Sequence, residues 1–247
     1  MIDLHCHILP DVDDGSPDLE TSLQMGRIAA ANGITTIVAT PHCNLPNLPP
    51  NYRSEALMQQ FQALAEQFQI NQIPVSILPG AEVFGRENLE PLLDSQRLLT
   101  LNHSRYLLIE FDFGLSGRRM SSMLGQVVEA GLVPVVAHPE RYDAVQEDLN
   151  LAGYWFHEGA VIQMNKGSIT GRLGRRAYYT SHQLLERGLV HVIATDAHHC
   201  QFRTPHLGEL WQELDLLCPK EYVHLLLEEN PARILRDEPI PSPAEDL

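Results

Sequence analysis

The stretch from Ile2 to Gly15, IDLHCHILPDVDDG, carries side chains that do metal chemistry. In an extended strand successive side chains alternate faces, so His5 and His7 share one face with Asp3 while Cys6 points the other way. Asp11, Asp13 and Asp14 then crowd into a turn closed by Gly15, and carboxylates so close repel unless something cationic lies near. A divalent metal meets that need. A His-x-His pair and an Asp-rich turn also occur without any metal, so the rest of the chain has to decide.

The same residue types recur at the ends of later apolar runs. His42 lies near the end of ITTIVATPHC, Glu82 lies in VSILPGAEVF, Glu110 follows YLLI, His138 follows LVPVVA, and Asp196 and His198 lie near the end of VHVIATDAHH. A lone histidine after a strand is usually a hydrogen-bonded structural residue, and a lone glutamate is usually on the surface. The apolar runs before Glu110 and Asp196 speak against exposure, and buried carboxylates must be paired or coordinated. With Asp14 the candidate ligands are His5, His7, Asp14, His42, Glu82, Glu110, His138, Asp196 and His198, more than one ion uses. Imidazoles with carboxylates and no required thiolate suit Mn, Fe or Zn better than Mg alone or a structural zinc. Two or three closely spaced ions with bridging carboxylates point to phosphoryl transfer or hydrolysis. Arg141 and Arg203 each follow a candidate ligand by a few residues, and a guanidinium fork can hold two phosphate oxygens. The ordinary reading of each is a surface salt bridge, worth little.

These residues need elements that bring strand ends together. Seven apolar, β-rich runs alternate with helical segments: IDLHC, ITTIVATPHC, VSILPGAEVF, YLLIEFDF, LVPVVAHPER, AVIQMNKGS and VHVIATDAHH. Helices are expected from an Asp18 cap to about Ala31, from Ser54 to Phe68, over Asn88 to Ser95, up to Gly131 and up to Gly188, with two more over His206 to Leu217 and Lys220 to Leu235. That cadence predicts an α/β fold with parallel strands covered by helices, and seven βα units favour a closed or nearly closed barrel. In such a barrel functional residues gather where strands end, and six of the seven runs end in a candidate ligand; the sixth, ending in Asn165, does not. The Cys43 to Arg53 loop, with three prolines, is placed to form a rim of the site. A single domain over residues 1–247 is expected, with residues 237–247 a frayed tail.

Composition removes several classes of function. A formal charge of -15 with 17 Lys and Arg argues against a nucleic-acid surface. No apolar run approaches the roughly 18 residues of a membrane span and no signal peptide is visible, so a cytoplasmic protein without membrane insertion is expected. Cys6, Cys43, Cys200 and Cys218 match no zinc spacing and are expected as reduced thiols outside the site. None has the arginine six positions on that a cysteine-dependent phosphatase loop requires. His103, His157, His182, His191, His199, His206 and His224 are read as structural or exposed.

Taken in order, HCH, DVDDG, TPH, GAE, IEF, AHPER and TDAH resemble the polymerase and histidinol phosphatase (PHP) superfamily of metal-dependent phosphoesterases. More narrowly, MIDLHCHILPDVDDG with AHPER and TDAH resembles the bacterial capsule and exopolysaccharide tyrosine phosphatases, over roughly residues 1 to 236. The resemblance implies a distorted seven-stranded (β/α)7 TIM-like barrel and a trinuclear site, usually Mn2+ or iron, that removes phosphate from the tyrosine-rich tail of a bacterial tyrosine kinase controlling polysaccharide export. Carried over, His5, His7, Glu82, Glu110, His138 and Asp196 match two metal positions, with Glu82 as bridge, and Asp14, His42 and His198 match the third. Where the family commonly has a second histidine after His42, this chain has Cys43. The alternatives are a PHP phosphatase of a small metabolite such as histidinol phosphate and a non-catalytic metal-binding scaffold. The sequence carries no signal for an oligomeric state.

Overall fold

Every strand pairing among the described residues is parallel, as expected of apolar runs separated by helices. The computed structural model describes residues 1–208 and 210–241. The strands are β1 (Ile2–Cys6), β2 (Thr36–Ala39), β3 (His42–Cys43), β4 (Ser76–Pro79), β5 (Glu82–Phe84), β6 (Tyr106–Glu110), β7 (Val133–Ala137), β8 (Val161–Asn165) and β9 (Val192–Ala194). The seven runs of the sequence are thus nine short strands, which corrects the expected count. Two runs are each broken in the middle, at Pro41 between β2 and β3 and at Gly80 between β4 and β5. Proline has no N–H for a ladder, and glycine admits close approach: a β-carbon at Gly80 would come within 2.7 Å of the Val38 side chain.

The breaks let each run serve two sheets. β1, β2 and β4 form one sheet in that order; β3, β5, β6, β7, β8 and β9 form the other. The end of the second sheet returns to β1. Cys6 and Ala197 form a parallel bridge, and Asp196 donates its N–H to the His5 carbonyl at 2.8 Å. Below them the Asp3 carboxylate accepts the Thr195 N–H at 3.0 Å.

Helices lie against the strands. Leu19–Ala31 is capped by Asp18, which accepts the Thr21 N–H, and Glu55–Ile70 by Ser54, which accepts the Leu57 N–H; each cap contributes about 1 kcal/mol. Further helices cover Gly117–Glu129, Asn150–His157 and Arg175–Glu186. The expected helix 206–217 is seen as Leu210–Leu217, and Glu209 lies outside the described residues. The expected helix 220–235 is one run interrupted by a π-helical turn at Leu225–Glu229.

Strands are buried on both faces, with alternate side chains in different apolar clusters. Tyr106 and Leu108 of β6 pack with Val135, Val161 and Val192, whereas Leu107 and Ile109 pack with the helix-side core. The face of Tyr106 and Leu108 continues to Glu110, and that of Val161 continues to Gln163 and Asn165. The period-two alternation that builds the core therefore aims polar side chains at one place. Of the expected frayed tail, residues 242–247 lie outside the described residues, while Asp237 accepts the Arg105 N–H at 2.7 Å and Glu238 accepts the Tyr106 hydroxyl at 2.7 Å. Among the described residues no helix is long and apolar enough to cross a membrane.

Candidate metal centre

All nine candidate ligands converge, and Glu82 lies at their centre. Its Oε1 is 3.2 Å from His5 Nε2 and 3.0 Å from His138 Nε2; its Oε2 is 3.2 Å from His7 Nε2 and 3.1 Å from His42 Nδ1. Glu110 Oε1 lies 2.9 Å from His42 Nδ1. Asp196 Oδ1 faces His5 at 3.4 Å, His7 at 3.5 Å and His198 Nδ1 at 3.6 Å. Asp14 Oδ1 is 3.4 Å from His42 Nε2 and 3.6 Å from His198 Nε2, at the exposed edge of the group. Three sets of donor atoms lie close enough to share an ion: His7, Asp14, His42 and His198; His5, His7 and Asp196; His42, Glu82 and Glu110.

Backbone placement is unusual at the ligand-bearing loops. His138 and Asp196 sit at φ of 36° and 49°, in the left-handed region that costs a non-glycine residue about 1 kcal/mol or more. Both side chains are nearly fully buried, so the surrounding fold holds them there.

Imidazoles against carboxylates could in principle be simple ion pairs. The donor count argues otherwise. His5 Nε2 and His7 Nε2 face each other at 3.2 Å, where at most one can donate. His42 Nδ1, Glu110 Oε1 and His138 Nδ1 are buried without a hydrogen-bond partner, although the first two are 2.9 Å apart. Two close, buried polar atoms whose lone pairs do not bond each other fit a cation between them, and an imidazole and carboxylate set fits Mn, Fe or Zn.

The protonation states follow the same crowding. Burial depresses the His5 and His42 imidazoles, but Glu82 with Asp196 at His5, and Glu82 with Glu110 at His42, outweigh it and push them up to about 9 and about 10. Burial works against the Glu82 carboxylate, yet His5 and His42 hold it well below its ordinary value. Burial, with the neighbouring His7 charge, pushes His198 down to about 2. The carboxylates thus draw positive charge to positions that a cation would take.

Arg141 and Arg203 border the cluster. Arg203 Nη2 lies 2.5 Å and Arg141 Nη1 3.6 Å from Asp196 Oδ2, and the Arg141 guanidinium rests 4.4 Å over the half-exposed Phe113 ring. Among the described residues no cysteine joins those three donor sets. Burial pushes the Cys43 thiol up to about 12 and raises Cys6 well above its ordinary value, so neither is a ready thiolate.

Sequence reasoning passed over three residues that hold the ligands. Asp13 Oδ2 lies 2.7 Å from His7 Nδ1 and accepts the His42 N–H at 2.8 Å, while Oδ1 accepts the Gly15 N–H at 2.9 Å. Gln163 and Asn165 stand behind His5 and Asp196. Two amides on one face of the apolar run AVIQMN were the available signal.

Comparison with known proteins places the chain in a family. Residues 1–236 match the family described as capsular polysaccharide synthesis, CpsB/CapC. The chain is 36% identical to the tyrosine-protein phosphatase YwqE of Bacillus subtilis, over 97% of this chain and 93% of that protein. It is 30% identical to the tyrosine-protein phosphatase CpsB of Streptococcus pneumoniae, over 96% and 99%. A crystal structure described among those of YwqE and CpsB, unique metal-dependent tyrosine phosphatases, superposes with a TM-score of 0.88 at 34% identity, covering 97% of this chain and 96% of that one. The dihydropyrimidinase of Brevibacillus agri shares the fold alone, at a TM-score of 0.61 and 10% identity over 96% of this chain and 71% of that one.

Proposed function

The chain belongs to the CpsB/CapC family of capsular polysaccharide synthesis, and from that membership we propose that it is a metal-dependent phosphatase of protein phosphotyrosine. The observation that carries the reading is the convergence of nine imidazole and carboxylate side chains around Glu82 with two guanidiniums at the border. His5, His7, Glu82, Glu110, His138 and Asp196 would hold two ions, and Asp14, His42 and His198 a third, with Mn2+ the ion of choice and iron or zinc possible by donor type. Such ions supply Lewis acidity, activating water and neutralising charge on the transferring phosphoryl group.

The protein's part is to position. Arg141 and Arg203 hold the phosphate oxygens in a fork and fix the in-line angle, and Asp196 Oδ2 keeps both guanidiniums pointed inward beforehand. No phosphoenzyme forms, and the high-pKa thiols stand aside. The substrate in this reading is a phosphotyrosine protein of polysaccharide export, a bacterial tyrosine kinase with a tyrosine-rich tail, met in the cytoplasm. We take residues 1–247 as one domain and the nine strands as seven βα units of a distorted barrel, with the Cys6–Ala197 bridge at its seam.

A turnover panel with Mn2+ tests this reading, using phosphotyrosine peptide, phosphoserine peptide, histidinol phosphate and single-stranded DNA. Preference for phosphotyrosine is expected. Preference for histidinol phosphate would move the substrate to small metabolites, and no turnover of any would favour a scaffold.

A further inference from the structure

β8 is the one strand whose run ends in no ligand, yet two side amides project from its site face, both fully buried. Their hydrogen bonds form a single file. Asn165 Nδ2 donates to Asp196 Oδ2, Gln163 Nε2 is 3.0 Å from Asn165 Oδ1, and Gln163 Oε1 is 2.9 Å from His5 Nδ1.

The direction of this file is fixed from one end. An ionised Asp196 carboxylate only accepts, so Asn165 must turn its NH2 toward it and its carbonyl oxygen away. That oxygen requires the NH2 of Gln163, which turns the Gln163 oxygen toward His5. An amide oxygen cannot donate, so His5 Nδ1 must carry a hydrogen. When His5 then carries a single proton, as a metal ligand must, the lone pair is left on Nε2, the nitrogen aimed at His7, Glu82 and Asp196.

We propose that Gln163 and Asn165 are positioning residues, an amide relay by which the Asp196 carboxylate sets the tautomer of His5 and so presents its Nε2 to a metal ion. The proposal rests on the metal reading above and extends it to residues that touch no ion. The backbone of β8 anchors the relay: Asn165 donates its N–H to Glu140 Oε1 at 3.1 Å, and the Ser168 hydroxyl holds the same oxygen at 2.6 Å. The relay has no slack, because each amide has one donor and one acceptor side committed.

The first test needs no variant. In Zn(II)-loaded chain carrying 15N-histidine, long-range proton–nitrogen spectra should place the His5 proton on Nδ1 and the metal on Nε2; the reverse assignment overturns the relay while leaving the metal reading intact. The second test measures Mn(II) affinity by chelator competition. Gln163→Leu and Asn165→Leu should each weaken binding by about tenfold or more, in the range usual for groups that orient metal ligands. The double variant should be no weaker than the worse single one, because one broken link already interrupts the file. Wild-type affinity in either single variant, or losses that multiply in the double, would overturn the relay. A wild-type chain that binds no Mn(II) or Zn(II) would overturn the metal reading itself and the relay with it.

Discussion

Asp13 and Asp14 are neighbours of the same chemistry in opposite surroundings. Asp13 takes three N–H groups, and although burial works against its charge, the His7 imidazole holds its carboxyl well below the ordinary range. Asp14, with its side chain 56% exposed, reaches only His42 and His198. Asp13→Asn must turn an NH2 toward one of those donors, so it should weaken Mn(II) binding by about ten- to a hundredfold; unchanged affinity in a chelator titration would remove Asp13 from the site. The arginines separate in the same way. Arg141→Lys keeps a charge but loses the fork and the stacking on Phe113, and should lower kcat/KM for phosphotyrosine peptide about tenfold with metal content unchanged. Arg203 makes the shorter contact to Asp196, so Arg203→Lys should lower turnover comparably and also weaken metal binding. Paired kinetics and elemental analysis on both variants read the difference, and full activity in both would place the phosphate clamp elsewhere.

The turn after β1 and the junction of β8 with β9 show what elements add to single residues. A β-carbon on Gly15 would lie 2.3 Å from the His7 carbonyl oxygen and 2.4 Å from its Cβ, so the Asp-rich turn folds back onto the ligand strand only with glycine there. Gly15→Ala should therefore cost about 1–3 kcal/mol and depress metal affinity together; a denaturation midpoint equal to wild type would show that the turn can shift. Between β8 and β9, His191 Nδ1 accepts the Ile162 N–H at 3.0 Å, and burial pushes the imidazole down to about 4. Unfolded, the group takes its proton near its ordinary 6.5; folded, only near 4. Between those values the unfolded chain binds more protons, so this contribution is present above about 6.5 and is lost as pH falls toward 4. From about pH 7 to pH 5 the wild type should lose roughly 2 kcal/mol more than His191→Asn, whose Oδ1 can accept the same N–H. Equal losses in urea titrations would mean the ring is protonated in place. The sequence made the strand ends legible, because ligand type and the apolar runs before Glu110 and Asp196 both report burial. It could not show the breaks at Pro41 and Gly80 as changes of sheet, nor that Gln163 and Asn165 face inward with His5. Strand pairing is a non-local choice, and two amides on one face of an apolar run signal a polar neighbour without saying which one.

At the scale of the whole molecule, the buried carboxylates of Asp13, Glu82, Glu110 and Asp196 confront one another within a few side chains, with imidazoles whose pKa they raise among them. An ion that binds only this arrangement must stabilise the entire fold. Adding Mn(II) to stripped protein should raise the melting temperature progressively, by an increment equivalent to about 2.7 kcal/mol at a hundred times the dissociation constant. A melting temperature independent of Mn(II) would show that nothing binds the folded state preferentially. The bridge between Cys6 and Ala197 carries a consequence for the order of events in the life of the chain. Synthesis delivers His5 and His7 about 190 residues before the segment that lies beside them, Thr195 to Ala197. Joining ends so distant is entropically slow, since local contacts form first and offer little reward for that closure. A chain interrupted before residue 195 has seven of the nine candidate ligands and the β2 partner of β1, yet lacks the segment on the other edge of β1. An ion that needs both partners of this seam would be captured only after residues 195–198 have joined β1, so a filled site would report that the seam has closed.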